Sequence, residues 1–406
     1  MKYELLELKQ ELKEELTHNI LPFWMDKMLD EEKGGFYGQI TGKDVIVTDA
    51  PKGGILNARI LWTFSSAALH LKNKLYLEYA KRAKDYIFEH FFDAENGGTY
   101  WMLHAAGTPA DTKKQIYSQA FFMYAFVEYY RATGDMACLD KAKELFLLIE
   151  KHSFDKEKNG YFEAYSREWV MLEDLRLSDK DANEKKTMNT HLHILEAYTN
   201  LYRVWKDEKL KHQLKNLIEI FTSKIINSKT HHLDLFFDED WAVKSKLVSY
   251  GHDIEAVWLL DEAAVVLGDP QVLKNVQEKV IKVAIAASEG VQANGSIINE
   301  KNNATGHVDS NCDWWPQAEA MVGFYNAYQI TKEEHFARKT IKAWEFINEF
   351  IVDKQYGEWH WSVSADGNVD THNDKAGFWK CPYHNSRMCL ELMERIGILL
   401  NSPKEI

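Results

Sequence analysis

The sequence predicts an all-α fold, an (α/α)6 barrel of six helix hairpins with short β-turn and strand loops at its mouth. Three observations predict it. A turn-plus-strand phrase recurs six times at intervals of about 62 residues, with one longer step in the middle. Helix-periodic segments fill the intervals. The chain has 406 residues, 45% of them hydrophobic, which is ample for a large core. A helix hairpin cannot bury both of its faces alone, so an inner and an outer ring must pack on each other. Six copies suffice to close the ring around a central cup, and the loops vary too much for open solenoid stacking. Residues 1–406 are read as a single barrel domain.

Leu5, Leu8, Leu12 and Leu16 mark an amphipathic helix that starts the fold. Gly34-Gly35-Phe36-Tyr37-Gly38 is the first copy of the phrase, and Asn57 to Trp62 continues into an apolar helical stretch. Asn96 to Trp101 is the second copy; the helix Gln115 to Thr133 follows, with Gly134 as its C-cap signal. Lys141 to Lys151 is the next helix, and Asn159 to Tyr165 the third phrase. Thr190 to Lys206 and Asp253 to Leu267 read as similar helices, the second ending at Gly268 with Pro270 beyond; between them lies the phrase Leu233 to Phe237. Asn294 to Ile298, the helices Trp315 to Tyr328 and His335 to Phe350, and the phrase Tyr356 to Trp361 complete the pattern. Two loops, Trp169 to Lys186 and Glu289 to Asp313, are too long for simple connections; they read either as site walls or lids, or as surface insertions.

Composition narrows the function. The formal net charge of −13 argues against a nucleic-acid partner. Four cysteines without a CxxC spacing fit free thiols in a reducing compartment. The N-terminus lacks a basic-then-apolar leader, and the longest strong apolar stretch, Ala120 to Val127, is too short to span a membrane. The expectation is a cytoplasmic monomer acting on a small molecule, without membrane or nucleic-acid partners. Thirteen tryptophans and nineteen tyrosines supply an aromatic core, a sugar-stacking cleft, or both.

The most informative stretch is Gly251-His252-Asp253-Ile254-Glu255. His252 and Glu255 stand three apart on one helix face, at a helix start that carries a positive field and free N–H groups. Asn189-Thr190-His191-Leu192-His193 opens another helix; Asn189 and His193 share a face and His191 points elsewhere. Lys380-Cys381-Pro382-Tyr383-His384 and Asn311-Cys312-Asp313-Trp314-Trp315 also stand at helix entries. Matching ends of inner helices converge on the cup of such a barrel, so His193, His252 and His384 are expected to meet. Arg59 and Tyr117 lie on apolar helices; Arg59 needs either an oxygen-rich ligand or an internal salt bridge, and Tyr117 invites the same two readings. There is no H-E-x-x-H, and His191 and His193 at i, i+2 do not converge, so no metal site is expected. Serine-nucleophile, phosphate-loop and dinucleotide glycine motifs are absent. An inverting glycosidase would need two carboxylates roughly 6.5–9.5 Å apart; Asp253, Asp309, Asp313 and Glu319 are available, but histidines dominate. A binding module would keep the tryptophans without needing paired histidines.

Five phrases in order resemble the N-acylglucosamine 2-epimerase superfamily, and within it the branch that handles disaccharides: Ala58-Arg59-Ile60-Leu61-Trp62-Thr63-Phe64, Gln115 to Phe121, Met188 to His193, Gly251 to Glu255, and Phe378 to His384. The resemblance runs from Leu21-Pro22-Phe23-Trp24 to the C-terminal region. It implies an (α/α)6 barrel, no cofactor, and inversion at C2 of the reducing-end glucose of a β-1,4-disaccharide such as cellobiose or lactose. It implies His252 and His384 as the acid/base pair, and His193 for ring opening and hydroxyl proton transfers. Arg59, Tyr117, Asn189 and Glu255 would bind or polarise the sugar. Trp315 and Trp379 would pack on sugar rings, Trp379 near the second unit. Glu255 is expected to orient His252. The alternatives within the superfamily are a 2-acetamido monosaccharide epimerase and an aldose–ketose isomerase.

Overall fold

The computed structural model describes residues 1–364 and 366–401. Six helices form an inner ring: α3 (Gly54–Leu71), α5 (Ile116–Thr133), α7 (Met188–Val204), α9 (Tyr250–Leu267), α11 (Trp314–Thr331) and α13 (Tyr383–Asn401). Each packs on the next, and α13 packs back on α3, so the ring closes. The outer ring is α4 (Leu75–His90), α6 (Met136–His152), α8 (Glu208–Ile220), α10 (Pro270–Ala287) and α12 (Glu334–Phe346). Its sixth member is the N-terminal segment: α1 (Lys2–Glu14) runs through the π-helical turn Glu15–Ile20 into α2 (Leu21–Asp26), and α1 lies against α13. The first segment of the chain therefore pairs with the last. Its leucines Leu5, Leu8, Leu12 and Leu16 are buried.

Local signals explain the helix ends. Gly134 and Gly268 close α5 and α9 in the left-handed region at φ +78° each, a conformation open to glycine at no steric cost. Asp269 caps α10 through its side chain, and Pro270 occupies the first turn of that helix, where its missing N–H is not needed. The inner helices are buried on nearly every face, whereas α8 and α12 keep a wet side.

The six recurring phrases are six equivalent turns at the ends of the outer helices. Each closes with one antiparallel bridge: Leu29 with Phe36, Phe92 with Thr99, Phe154 with Tyr161, Ile226 with Leu233, Val291 with Ile297, and Val352 with Trp359. A polar side chain one turn into the following inner helix ties several of them down. Gln119 accepts from the Thr99 N–H at 2.9 Å, the His191 ring from Tyr161 at 2.9 Å, Asp253 from Leu233 at 2.8 Å, and Gln317 from Ile297 at 2.9 Å. Asp253 and His191 are thereby engaged in the frame rather than aimed at the cup.

A second repeated device was not legible as a motif. The aspartate at the start of the turn accepts turn N–H groups and pairs with a buried lysine just before an inner helix. Lys52 meets Asp30 at 2.8 Å, Lys114 meets Asp93 at 3.0 Å, and Lys186 meets Asp155 at 2.8 Å. Lys375 meets Asp353 in the last repeat. The first three pairs pin an outer-helix end to the short strand that enters the inner ring.

Among the described residues no helix is long and apolar enough to cross a membrane.

Breaking one repeated pair leaves a buried charge. In Asp93→Ala, Lys114 is fully buried without its counter-charge. The expected loss is about 3–5 kcal/mol in urea-induced unfolding, against under about 1 kcal/mol for an exposed pair such as Lys81–Asp85, whose side chains are 65% and 46% exposed.

Candidate active site

The N-terminal ends of the inner helices surround a cavity of about 380 Å³. All nine residues singled out above line it: Arg59 from α3, Tyr117 from α5, Asn189 and His193 from α7, His252 and Glu255 from α9, Trp315 from α11, and Trp379 and His384 from the segment entering α13 and its first turn. The rest of the wall is Trp314, Trp361 and Leu177 to Asp181. This last strip belongs to the long Trp169–Lys186 loop, whose insertion also causes the long step in the repeat. All four cysteines are buried free thiols, Cys381 lying against Arg59.

The three histidines share one arrangement. Each has its Nδ1 held by a neighbour: His193 by Glu196 at 2.9 Å, His252 by Ser249 at 2.8 Å, and His384 by Glu319 at 2.7 Å. A carboxylate can only accept, so Nδ1 of His193 and of His384 carries the proton and Nε2 keeps its lone pair. Burial pushes His252 and His384 down to about 3, and lowers His193 as well. All three are therefore neutral near pH 7.

The expectation that Glu255 orients His252 is corrected by the structure. The Glu255 carboxylate turns to Arg387, which donates from Nη2 at 2.7 Å, and the partner of His252 is Ser249. Arg387 was not singled out in the sequence. It is wholly buried behind the cavity wall, and donates also to Glu319 at 2.6 Å and to Glu196. Three carboxylates face one guanidinium, so they cannot all be ionised at low cost. Glu319 has further donors in Trp258 and His384, and Glu196 in Tyr383 and His193. Glu255 has Arg387 alone among the described residues. Burial and the Glu319 charge accordingly hold the Glu255 carboxyl protonated well above the usual carboxylate range. Glu255, Glu319 and His384 lie close enough to offer three ligand atoms to a metal, but the cation between the two carboxylates is the Arg387 guanidinium.

Arg59 forms no salt bridge among the described residues. It donates to the Tyr117 hydroxyl at 2.9 Å and lies over the Phe121 and Tyr383 rings, 4.2 and 4.7 Å from their centroids. Of the two readings left open, the internal salt bridge is thus not what the structure holds. The Asn189 Oδ1 is buried with no hydrogen-bond partner. Trp315 packs between the two histidines, 4.7 Å from the His252 ring and 5.7 Å from the His384 ring. That fit depends on Gly251: a Cβ there would lie 2.6 Å from the Trp315 ring. The glycine of the opening phrase is thus a packing requirement of the neighbouring helix.

Glu196, Glu319 and Arg387 carried a faint signal. Arg59, His193, Glu255 and Glu319 occupy the same sixth position of α3, α7, α9 and α11. Aligning the inner helices would have grouped them. Arg387 and Glu196 each follow a candidate histidine by three residues, the spacing of one helix face. Ser249 carried no such signal.

The model of the family N-acylglucosamine 2-epimerase matches residues 35–387. The cellobiose 2-epimerase of Bacteroides fragilis is 56% identical over 386 residues, covering 95% of this chain and 98% of that protein. The cellobiose 2-epimerase of Dictyoglomus turgidum is 40% identical, covering 96% and 99%. The solved structure of cellobiose 2-epimerase from Bacillus thermoamylovorans superposes with a TM-score of 0.92 at 44% identity, covering 96% of this chain and 99% of that one. A D-mannose isomerase at 19% identity shares the fold, with a TM-score of 0.83. A family match across most of the chain, with relatives aligned over nearly their full length, means that the chain belongs to the N-acylglucosamine 2-epimerase family.

Proposed function

We propose that the protein is a cellobiose 2-epimerase, inverting C2 of the reducing-end glucose in β-1,4-disaccharides: cellobiose gives glucosyl-mannose and lactose gives epilactose. The observation that carries this reading is the set of three neutral histidines facing one tryptophan-lined cavity, each anchored through Nδ1. The 56% identity to a cellobiose 2-epimerase supports the same reading.

The hemiacetal opens first, because only the aldehyde acidifies the C2 proton. His193 moves the hydroxyl proton in that step. One of His252 and His384 then takes the C2 proton on Nε2, and the electron pair passes through C1 to O1 to give a cis-enediolate. The other histidine, first charged on Nε2 by a proton from Glu255, returns that proton to the opposite face of C2, and the C2 proton held by its partner leaves to solvent, from which Glu255 is recharged. The two come from α9 and α13, the helices on either side of α11, and both rings contact its Trp315, which supports two separate groups acting on one carbon. Arg59, with Tyr117 on its guanidinium, faces the developing oxyanion, and Asn189 offers its free Oδ1 to a sugar hydroxyl. The pair needs one exchangeable proton, and Glu255 is the group in the cavity that holds one at neutral pH. Trp379 and the strip Leu177–Asp181 extend the wall beyond the reacting ring, which favours a disaccharide over a monosaccharide. Proton return to C1 instead of C2 would yield a ketose, so a minor isomerase activity is expected. We further propose a cytoplasmic monomer with no cofactor.

Incubation with cellobiose in deuterated water should give the mannose epimer labelled at C2, followed by NMR. Release of unlabelled monosaccharide would instead mean hydrolysis. His252→Asn and His384→Asn should each lower kcat by about a thousandfold, the upper range of general acid–base effects, with the far-UV spectrum unchanged. Activity within tenfold of the parent would remove that residue from the pair.

The pH profile follows from the direction of the shifts. A base must be neutral, and burial lowers His252 and His384, so their neutral forms survive as pH falls through the ordinary histidine value. Glu255 is raised, so its proton is lost only on the alkaline side. The expected kcat/KM shows no inflection near pH 6.5 and declines above neutrality. A single acid limb at 6.5 would contradict this assignment.

A further inference from the structure

We infer that Ser249 is a positioning residue that holds the His252 ring as an Nδ1–H donor and keeps it without a carboxylate partner, making the two acid/base histidines unequal. The inference rests on the proposed role of His252.

Ser249 stands at the N-cap of α9, where a serine ordinarily accepts a bond from the backbone N–H two or three residues on. It makes no such capping bond. Its hydroxyl is instead 2.8 Å from Nδ1 of His252, the third residue of the same helix. At the equivalent place on α7, Thr187 does cap, accepting from the Thr190 N–H at 3.1 Å. Ser249 is buried, at 2% exposure. One repeat thus spends its N-cap hydroxyl on the helix, and the other spends it on a cavity histidine.

The chemistry of the partner matters. Glu319 and Glu196 are ionised acceptors, so an imidazolium at His384 or His193 gains an ion pair. A hydroxyl offers His252 a dipole only. When Ser249 accepts from Nδ1–H, Nε2 faces the cavity with a lone pair, as proton abstraction needs. The C2–H bond breaks, the Nε2–H bond forms, and the electron pair moves to the enediolate; the Nδ1–H bond to Ser249 is unchanged. The resulting imidazolium has no counter-charge on Nδ1 and gives its proton back readily. His193 on α7 and Glu319 on α11 act on the His252 charge, and the titratable groups lining the same cavity are Arg59 on α3, Tyr117 on α5, Glu255 on α9 itself, His384 on α13, and Asp179, Lys180 and Asp181 on the loop. None changes in the variants below, so a moved limb reports position 249.

The test uses Ser249→Ala, Ser249→Asp and His252→Asn in the full chain, with thermal unfolding as a control for folding. Imidazole nitrogen shifts of the 15N-histidine-labelled protein should show His252 protonated on Nδ1 in the parent and a mixture of tautomers in Ser249→Ala. Ser249→Ala should lower kcat about tenfold with KM within about twofold, less than one full general-base contribution. Ser249→Asp should introduce an acid limb in kcat/KM at least about one pH unit above that of the parent, because a carboxylate favours the charged ring. Parent-like kcat and an unmoved tautomer signal in Ser249→Ala, or an unmoved acid limb in folded Ser249→Asp, would overturn the inference. Retained activity in His252→Asn would instead overturn the reading on which it rests.

Discussion

The site depends on one buried guanidinium. Arg387, on α13, gathers Glu196 of α7, Glu255 of α9 and Glu319 of α11 behind the wall of the cavity. It thereby joins four of the six inner helices at one point. Two of those carboxylates in turn hold the Nδ1 atoms of His193 and His384. The third, short of donors, keeps a proton facing the cavity. Removing a buried partner of this kind costs about 3–5 kcal/mol. Here it would also release two histidines, so stability and chemistry share a single anchor.

The frame around that anchor repeats a small set of devices. An aspartate–lysine pair pins the turn to the inner ring, and a polar side chain one helical turn further in accepts the bridge N–H. Where the frame is satisfied in this way, polar residues near helix starts are structural, as with Asp253 and His191. Where it is not, they face the cavity, as with Asn189 and Arg59. The distinction between framework and site is thus a matter of which acceptor each group finds, and residue type does not settle it. Gly251 and Trp315 show the same interdependence in packing: the missing side chain on α9 makes room for an aromatic ring on α11, and that ring contacts both histidines.

Much of this was legible beforehand because it is periodic. The sixfold phrase marks the outer-helix ends because a tight turn needs a residue at positive φ, a glycine in five copies and His231 in the fourth, beside a bridging residue pair. The glycine stops at Gly134 and Gly268 are local backbone requirements that any context would impose. The convergence of His193, His252 and His384 on one cavity followed from placing them near matching helix ends, and the family resemblance added Arg59, Tyr117, Asn189, Glu255, Trp315 and Trp379, which line the same cavity.

By itself, then, the sequence determined the sixfold repeat of helix hairpins, the closed ring, the end of the inner helices that lines the cavity, and the family, since all of these are encoded in local patterns and their order. Tertiary structure alone decided the partners. Glu255 lies one helical turn from His252, yet its carboxylate turns to an arginine 132 residues away. His252 is held instead by a serine that gives up its capping role. Hydrogen-bond partners are chosen by distance and competition among buried groups in three dimensions. Three carboxylates competing for one guanidinium is a relation that no spacing along the chain records.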